Sequence, residues 1–241
     1  MITSRFIFFA AALLGCLLPT NGQIFVYNFT AEVNDGSIQD QQGVFPASFN
    51  DQVVFQGTLS WDSAAAPIAS PANTQRYQDL INGVSRLSIT GGGISIDAPG
   101  TTSTSAGFFQ VSNELANGNF DSFIRQTDIA SVQYAGFNQQ PNASGFGTFD
   151  MALGATEVFA DTSIPTSLNL ADFDQVRNLE WFVQDTSGNF SLFTATVTSL
   201  VPVPEPSQTA LAFALVCSAA LLWRRLRRRP SAGVITPDEC P

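Results

Sequence analysis

Short alternations of apolar and polar residues, broken by Gly, Asn, Asp and Pro, run through residues 23–200 of this chain. A period of two is the mark of a β-strand with one face buried. Strands are expected over 24–33, 53–61, 84–90, 93–97, 108–112, 120–125, 129–137, 146–153, 178–184 and 190–198. In the third of these Leu87 and Ile89 form the more apolar face, opposite Arg86, Ser88 and Thr90. In the last, Ser191, Phe193, Ala195 and Val197 share one parity, and Phe190, Leu192, Thr194, Thr196 and Thr198 the other. Asp185 to Asn189 reads as the hairpin loop between the final two strands, and Gly91 to Gly93 as a turn. Residues 34–36, 39–49, 64–71, 98–106 and 138–145 read as loops. Strong amphipathic helices and fixed-period repeats are absent from this region. The expected fold is all-β, an antiparallel two-sheet sandwich of jelly-roll or immunoglobulin-like type, with a closed barrel or short β-helix as alternatives.

The pattern changes at both ends. Arg5 precedes an apolar run over 6–18, Pro19 stops any helix there, and Thr20, Asn21 and Gly22 are small or polar. This order predicts a signal peptide over 1–22, removed by signal peptidase after Gly22. Leu13-Leu14-Gly15-Cys16 also resembles a lipoprotein processing site, which would acylate Cys16. At the other end a Pro-rich linker over 201–208 leads into an apolar segment over 209–223, expected to be a transmembrane helix. Ser207 to Trp223 is 17 residues, about 25 Å of helix and the bottom of the spanning range. Arg224, Arg225, Arg227, Arg228 and Arg229 follow as a membrane-stop cluster expected on the cytoplasmic side. Residues 230–241 are polar and proline-containing, and are expected to be a disordered tail. The domain over 23–200 would then lie outside the inner membrane.

The sequence Val203-Pro204-Glu205-Pro206-Ser207, followed by an apolar helix and an Arg cluster, resembles the PEP-CTERM sorting signal of Gram-negative bacteria. The resemblance implies that Pro204, Glu205 and Pro206 are recognised by an exosortase, a membrane-embedded cysteine protease-transpeptidase. It also implies that the tail is removed as the protein passes to the cell surface or the exopolysaccharide matrix. Tails of that family usually end soon after the basic cluster, whereas this chain continues to Pro241. Gly57-Thr58-Leu59-Ser60-Trp61-Asp62, then Asn113 and Glu114, Asp121-Ser122-Phe123 and the 164–173 segment are similar to an ectodomain that recurs among PEP-CTERM proteins. That group brings no biochemical role with it.

Charge narrows the partners. The chain has no lysine and no histidine, and residues 23–205 hold 18 acids against four arginines, a net charge of about −14. Such a surface repels nucleic acid and other anionic polymers, and suits cation binding or contact with neutral sugars. The three cysteines, Cys16, Cys217 and Cys240, all lie outside 23–200, so the exported domain has no disulfide, thiol nucleophile or thiolate metal site. Three eukaryotic N-glycosylation patterns, at Asn28, Asn142 and Asn189, are read as coincidence in a bacterial export context.

Candidate chemistry is sparse. Without histidine, a Gly-x-Ser-x-Gly elbow or a phosphate loop, catalysis would have to rest on paired carboxylates. Glu32, Glu114, Glu157 and Glu180 are available, Glu180 standing beside Trp181 in an expected strand. Calcium is the one cofactor suggested, with Asp172 and Asp174 on either side of Phe173 as candidate ligands and Asp150 or the Asp185-Ser187-Asn189 set as further donors. None of these has the spacing of a dedicated calcium loop. Carbohydrate binding would use an exposed ring beside Asp or Gln. Trp61 with Asp62, Tyr77 with Gln78 and Asp79, and Tyr134 are the candidates, weighed against packing in the core. The reading is a non-catalytic exported protein of the surface or exopolysaccharide matrix, with polysaccharide as candidate ligand. The alternatives are a secreted glycosidase-like hydrolase on the same sandwich and a self-associating structural envelope protein.

Overall fold

The computed structural model describes residues 23–68, 73–78, 86–99, 107–113, 121–128, 132–204 and 217–218. The signal peptide, Glu205 and Pro206 of the sorting motif, nearly all of the apolar C-terminal segment, the arginine cluster and the tail lie outside the described residues. No helix among the described residues is long and apolar enough to cross a membrane. The chain divides into two compact units at Val203/Pro204. In the second, Pro204 is exposed, and Cys217 and Ser218 are helical and exposed.

The first unit is built from strands. In chain order they are β1 (Ile24–Val33), β2 (Gln39–Asp40), β3 (Val54–Asp62), β4 (Ala66–Ile68), β5 (Thr74–Gln78), β6 (Arg86–Gly91), β7 (Ile94–Pro99), β8 (Gly107–Ser112), β9 (Asp121–Asp128), β10 (Gln133–Ala135), β11 (Phe146–Ala155), β12 (Val176–Gln184) and β13 (Phe190–Pro202). One turn of 3-10 helix covers Leu170–Asp172. The all-β expectation and most strand positions agree with this. Burial in β1 alternates with Phe25, Tyr27, Phe29, Ala31 and Val33 inward. Leu87 and Ile89 are buried in β6, as are Ser191, Phe193, Ala195 and Val197 in β13.

The sheet differs from the expected sandwich of two separate sheets. All pairings are antiparallel, and they run without a break in the order β10-β7-β6-β3-β1-β13-β12-β11-β9-β8-β5-β4, with β2 added to β13. The long strands β1 and β13 pair with each other along much of their length, so hydrogen bonds continue through the place where two sheets would part. The path ends at β10 and β4, which leaves the sheet open and makes it neither a closed barrel nor a parallel β-helix.

Ring contacts show that the sheet curls over on itself. Trp61 on β3 lies 5.3 Å from Phe123 on β9, centroid to centroid. These strands stand five places apart in the sheet, or about 24 Å if it were flat. Tyr134 on β10 meets Trp181 on β12 edge-on at 6.1 Å, across six places that would span about 29 Å. Between the facing halves lie two aromatic groups. One joins Phe25, Tyr27, Trp61, Phe123, Phe109 and Tyr77, and the other Phe45, Phe49, Phe55, Phe137, Trp181 and Phe193. Fully burying one such side chain stabilises the fold by about 1.5–3 kcal/mol, and favourable ring pairs add about 0.5–1.5 kcal/mol each. Arg125 is also buried, its guanidinium donating to the Phe108 and Gln126 carbonyls.

β2, β4 and β5 were not expected as strands. β2 has two residues, β4 has three including Pro67, and β5 reads Thr-Gln-Arg-Tyr-Gln, where only Tyr77 is an apolar inward residue. Such segments give too little periodicity to register and are strands because a neighbour pairs with them. The two edge strands, β4 and β10, have three residues each, which limits strand addition by other chains.

Gly57 marks a close approach. It sits opposite Phe29 across β1 and β3, and a Cβ at residue 57 would come within 2.1 Å of Phe29 Cζ. Phe29 is 2% exposed and its ring has nowhere else to go without opening the core. Gly57→Val is therefore expected to lower unfolding free energy by about 1–3 kcal/mol, read as an earlier urea midpoint at unchanged slope.

Candidate functional site

The sequence candidates for carbohydrate binding are core residues. Trp61 is fully buried, stacks on Tyr27 at 5.3 Å and donates its indole N–H to the Pro165 carbonyl at 3.1 Å. Asp62 is buried and its carboxylate accepts the Ala64 N–H at 2.8 Å, closing the turn after β3. Tyr77 is 8% exposed, stacks on Phe109 and donates its hydroxyl to the Thr162 carbonyl at 2.6 Å. Burial, and then the charge of Asp161, push its phenol pKa up. Neither Trp61 nor Tyr77 has a free ring face for a sugar, which corrects that expectation: the large rings bury more area in the core than a surface site would allow. Tyr134 is half-buried against Phe137 and Trp181, and burial raises its pKa well above that of an ordinary phenol. Asp172 and Asp174 are exposed on either side of buried Phe173, and Asp172 accepts a hydrogen bond from the Asn169 side chain. No group of three or more potential His, Cys, Asp or Glu ligands gathers among the described residues.

These buried residues share a task. Residues 156–175 form a long connection between β11 and β12 with only the 3-10 turn inside it. Loops of this length rarely hold a single shape unaided, and here side chains from the strands and their ends fasten it. The buried Asp121 carboxylate accepts the Val158 and Phe159 N–H groups, both at 2.6 Å. Asn113 donates to the Phe159 carbonyl, Tyr77 to Thr162 and Trp61 to Pro165, and the Tyr27 hydroxyl accepts from Leu168 N–H. Tyr27, Trp61, Tyr77, Asn113 and Asp121 thus hold the connection as one structural device. The loop lines an open pocket of about 370 Å³ made of its own residues. Within it, two hydrogen bonds from Ser163 hold the Asp161 carboxyl below the usual carboxylate pKa.

The solvent face of the sheet carries a different feature. In β11, β12 and β13 the residues opposite in parity to the core include Phe146, Phe182 and Phe190. Their rings form a row, Phe146 to Phe182 at 5.8 Å and Phe182 to Phe190 at 6.0 Å. Phe146 is 57% exposed and the other two are half-buried. Register places Phe146 opposite Gln184, which is opposite Phe190, and Phe182 between Thr148 and Leu192. The next row on the same face sets Asp150 opposite Glu180, with Thr194 beyond. Amides border the strip. Gln42 donates to the Asn142 and Asn189 carbonyls, Gln184 donates to Gly188, and Gln39 pairs with Leu192 in the ladder. Asp185 accepts from Asn189 and Ser187 and so shapes the hairpin that starts at its end, hydrogen bonds that lower its pKa.

An apolar row with a polar rim on a rigid sheet can hold the C–H face of a flat ligand by contact with aromatic faces and its polar groups by amide hydrogen bonds. Sequence reasoning placed the phenylalanines in the core and so missed this strip. The available signal was parity, since Phe146 and Phe182 alternate with Phe149, Trp181 and Val183.

Removing Asp121 should free the long loop without unfolding the sheet. Asp121→Ala is expected to cost about 1.5–3 kcal/mol and to speed hydrogen exchange at Val158 and Phe159 while strand amides stay protected. Compared with known proteins, the chain matches no family model, no curated protein and no solved structure.

Proposed function

We propose that this is a non-catalytic exported protein of the cell surface or exopolysaccharide matrix, and that its ectodomain binds polysaccharide through the Phe146–Phe182–Phe190 strip. The observation that carries the binding role is the strip itself, three neighbouring rings kept on the solvent face of three paired strands. Export and sorting rest on the sequence. A leader over 1–22, Pro204-Glu205-Pro206, the apolar segment and the arginines from Arg224 to Arg229 support signal peptidase and exosortase as processing partners. The division at Val203/Pro204 is where a sorting tail would join the domain. In this reading the protein passes through a single-pass form in the inner membrane before release, and its acidic surface keeps it from nucleic acid. The curled sheet supports placing the domain in the sandwich class, of jelly-roll or immunoglobulin-like kind.

One observation favours a second reading. Asp150 and Glu180 stand directly opposite one another beside the strip. Retaining glycosidases use two carboxyl groups about 5–5.5 Å apart, and a hydrolase would place its scissile bond over this pair.

The test is intact mass and fractionation of the native protein, followed by cosedimentation of the released form with the producing cell's own polysaccharide. The binding reading expects a species from Gln23 to near Pro204–Pro206 outside the inner membrane. It also expects cosedimentation that drops at least about tenfold in Phe146→Ala/Phe182→Ala, with no release of oligosaccharide. Oligosaccharide release lost in Glu180→Gln would support the hydrolase instead, and full-length protein kept in the inner membrane would overturn the sorting.

A further inference from the structure

Where β1 begins and β13 ends, the outer face of the sheet turns apolar. Of the five exposed large apolar side chains among the described residues, three stand here: Ile24 at 36%, Val201 at 56% and Val203 at 37%. The antiparallel pairing of β1 with β13 brings them together. Val201 lies opposite Asn28, and the Val203 N–H continues the ladder by donating to the Val26 carbonyl at 2.8 Å. Val26 is half-buried and shares the outward parity of Ile24. The neighbours of Ile24 and Val26 across β3 are Asp62 and Ser60, and the Asp62 carboxylate is buried and accepts the Ala64 N–H. This corner stands out in a domain that holds 18 acids against four arginines.

The corner is also where the chain leaves the domain on both sides. Gln23 and Val203 bound it, and the sequence is apolar over 6–18 and again over 209–223. The path from Val203 to Thr209 is roughly 20 Å at full stretch. The headgroup layer on each side of a bilayer is about 5–8 Å deep. A segment over 209–223 held in the membrane therefore keeps the corner within reach of the lipid surface, and so short a tether raises the effective concentration of a weak contact. Apolar side chains brought to that depth gain by leaving water.

We propose that Ile24, Val26, Val201 and Val203 form a membrane-docking corner, seated on the lipid headgroups for as long as the apolar tail is attached. This depends on the reading of 209–223 as a membrane segment and adds the contact that the domain itself makes. Val201 and Phe190 lie toward opposite ends of β13, about 35 Å apart along the strand. The phenylalanine strip thus stands at the far end of that strand from the bilayer contact. Asp161, Asp172 and Asp174 are exposed on the connection that Tyr27 and Trp61 fasten near the corner's end of β1 and β3. Those charges oppose an anionic surface, so the docking is strongest on zwitterionic lipid.

The experiment uses the full-length protein carrying Cys16→Ser, Cys217→Ser and Cys240→Ser, reconstituted in phosphatidylcholine vesicles that contain headgroup-nitroxide lipid as quencher. A fluorophore is placed at Asn28→Cys, exposed beside Val201, or at Ser187→Cys, exposed in the hairpin before Phe190. The expected result is strong quenching at residue 28 and none at 187. Val201→Asp/Val203→Asp should lower the ratio of docked to free corner at least about tenfold. Val54→Asp, at an exposed apolar position near the other end of β3, should leave quenching unchanged. Mixing in phosphatidylglycerol should reduce it, and a rise instead would overturn apolar contact as its basis. Thermal unfolding of each variant separates lost docking from lost fold. Vesicles that float free of protein would overturn the membrane segment and the docking together. Protein that floats with the vesicles but is quenched equally at 28 and 187 would leave the membrane segment standing and overturn the docking. Quenching at 28 that is indifferent to the double aspartate variant would overturn the assigned corner. Energy transfer between labels at 28 on separate chains, without lipid quenching and lost in that variant, would identify a second copy as the occupant and overturn the proposal.

Discussion

The contact of Trp61 with Phe123 holds the two halves of the sheet against each other. Hydrogen bonding alone yields a single ribbon of paired strands, and nothing in a ladder forces strands five places apart to touch. Apolar area does so. The inward parities of β1, β3, β9, β12 and β13 all carry large rings, and the sheet removes them from water by curling until they meet. Residues 23–200 contain no cysteine, so no covalent staple closes the curl. The aromatic packing takes that role, and it leaves the opposite parity of the same strands as a rigid outer face.

From that constraint the rest follows. With Trp61 fixed in the core, its indole N–H points to the long connection between β11 and β12 and holds the Pro165 carbonyl. Tyr27, Tyr77, Asn113 and Asp121 complete the attachment. The loop orders one end of the molecule, while the hairpin shaped by Asp185 orders the end where the phenylalanine strip lies. The residues most conspicuous in the sequence are thus building parts, and the outward aromatic face is made of phenylalanines that draw little notice among so many.

Much of the fold was legible because burial on one side imposes a period of two. β1 and the β12–β13 hairpin stand where the alternation places them. β2, β4 and β5 were not legible, since each is too short or too polar to alternate and depends on a partner strand. The single continuous sheet could not be read either. Which strands pair is decided by the register of β1 against β13, residues about 170 apart in the chain. The site was the least legible part. Trp61 beside Asp62 looks like a sugar platform, but a ring that large on the inward parity of a strand is worth more buried. Phe182 was hidden by its neighbour Trp181, because adjacent aromatics do not reveal which one faces out.

The central claim is that the tryptophans build the domain and the outer phenylalanines meet the ligand. Acrylamide quenching of tryptophan fluorescence tests it most directly, in a full-length chain carrying Trp223→Phe so that Trp61 and Trp181 are the remaining two of the three tryptophans. Both indoles are fully buried, and the account predicts blue-shifted emission, weak quenching and no further protection when saccharide is added. A readily quenched tryptophan that saccharide shields would contradict it, and would place Trp61 on the binding face instead of in the core.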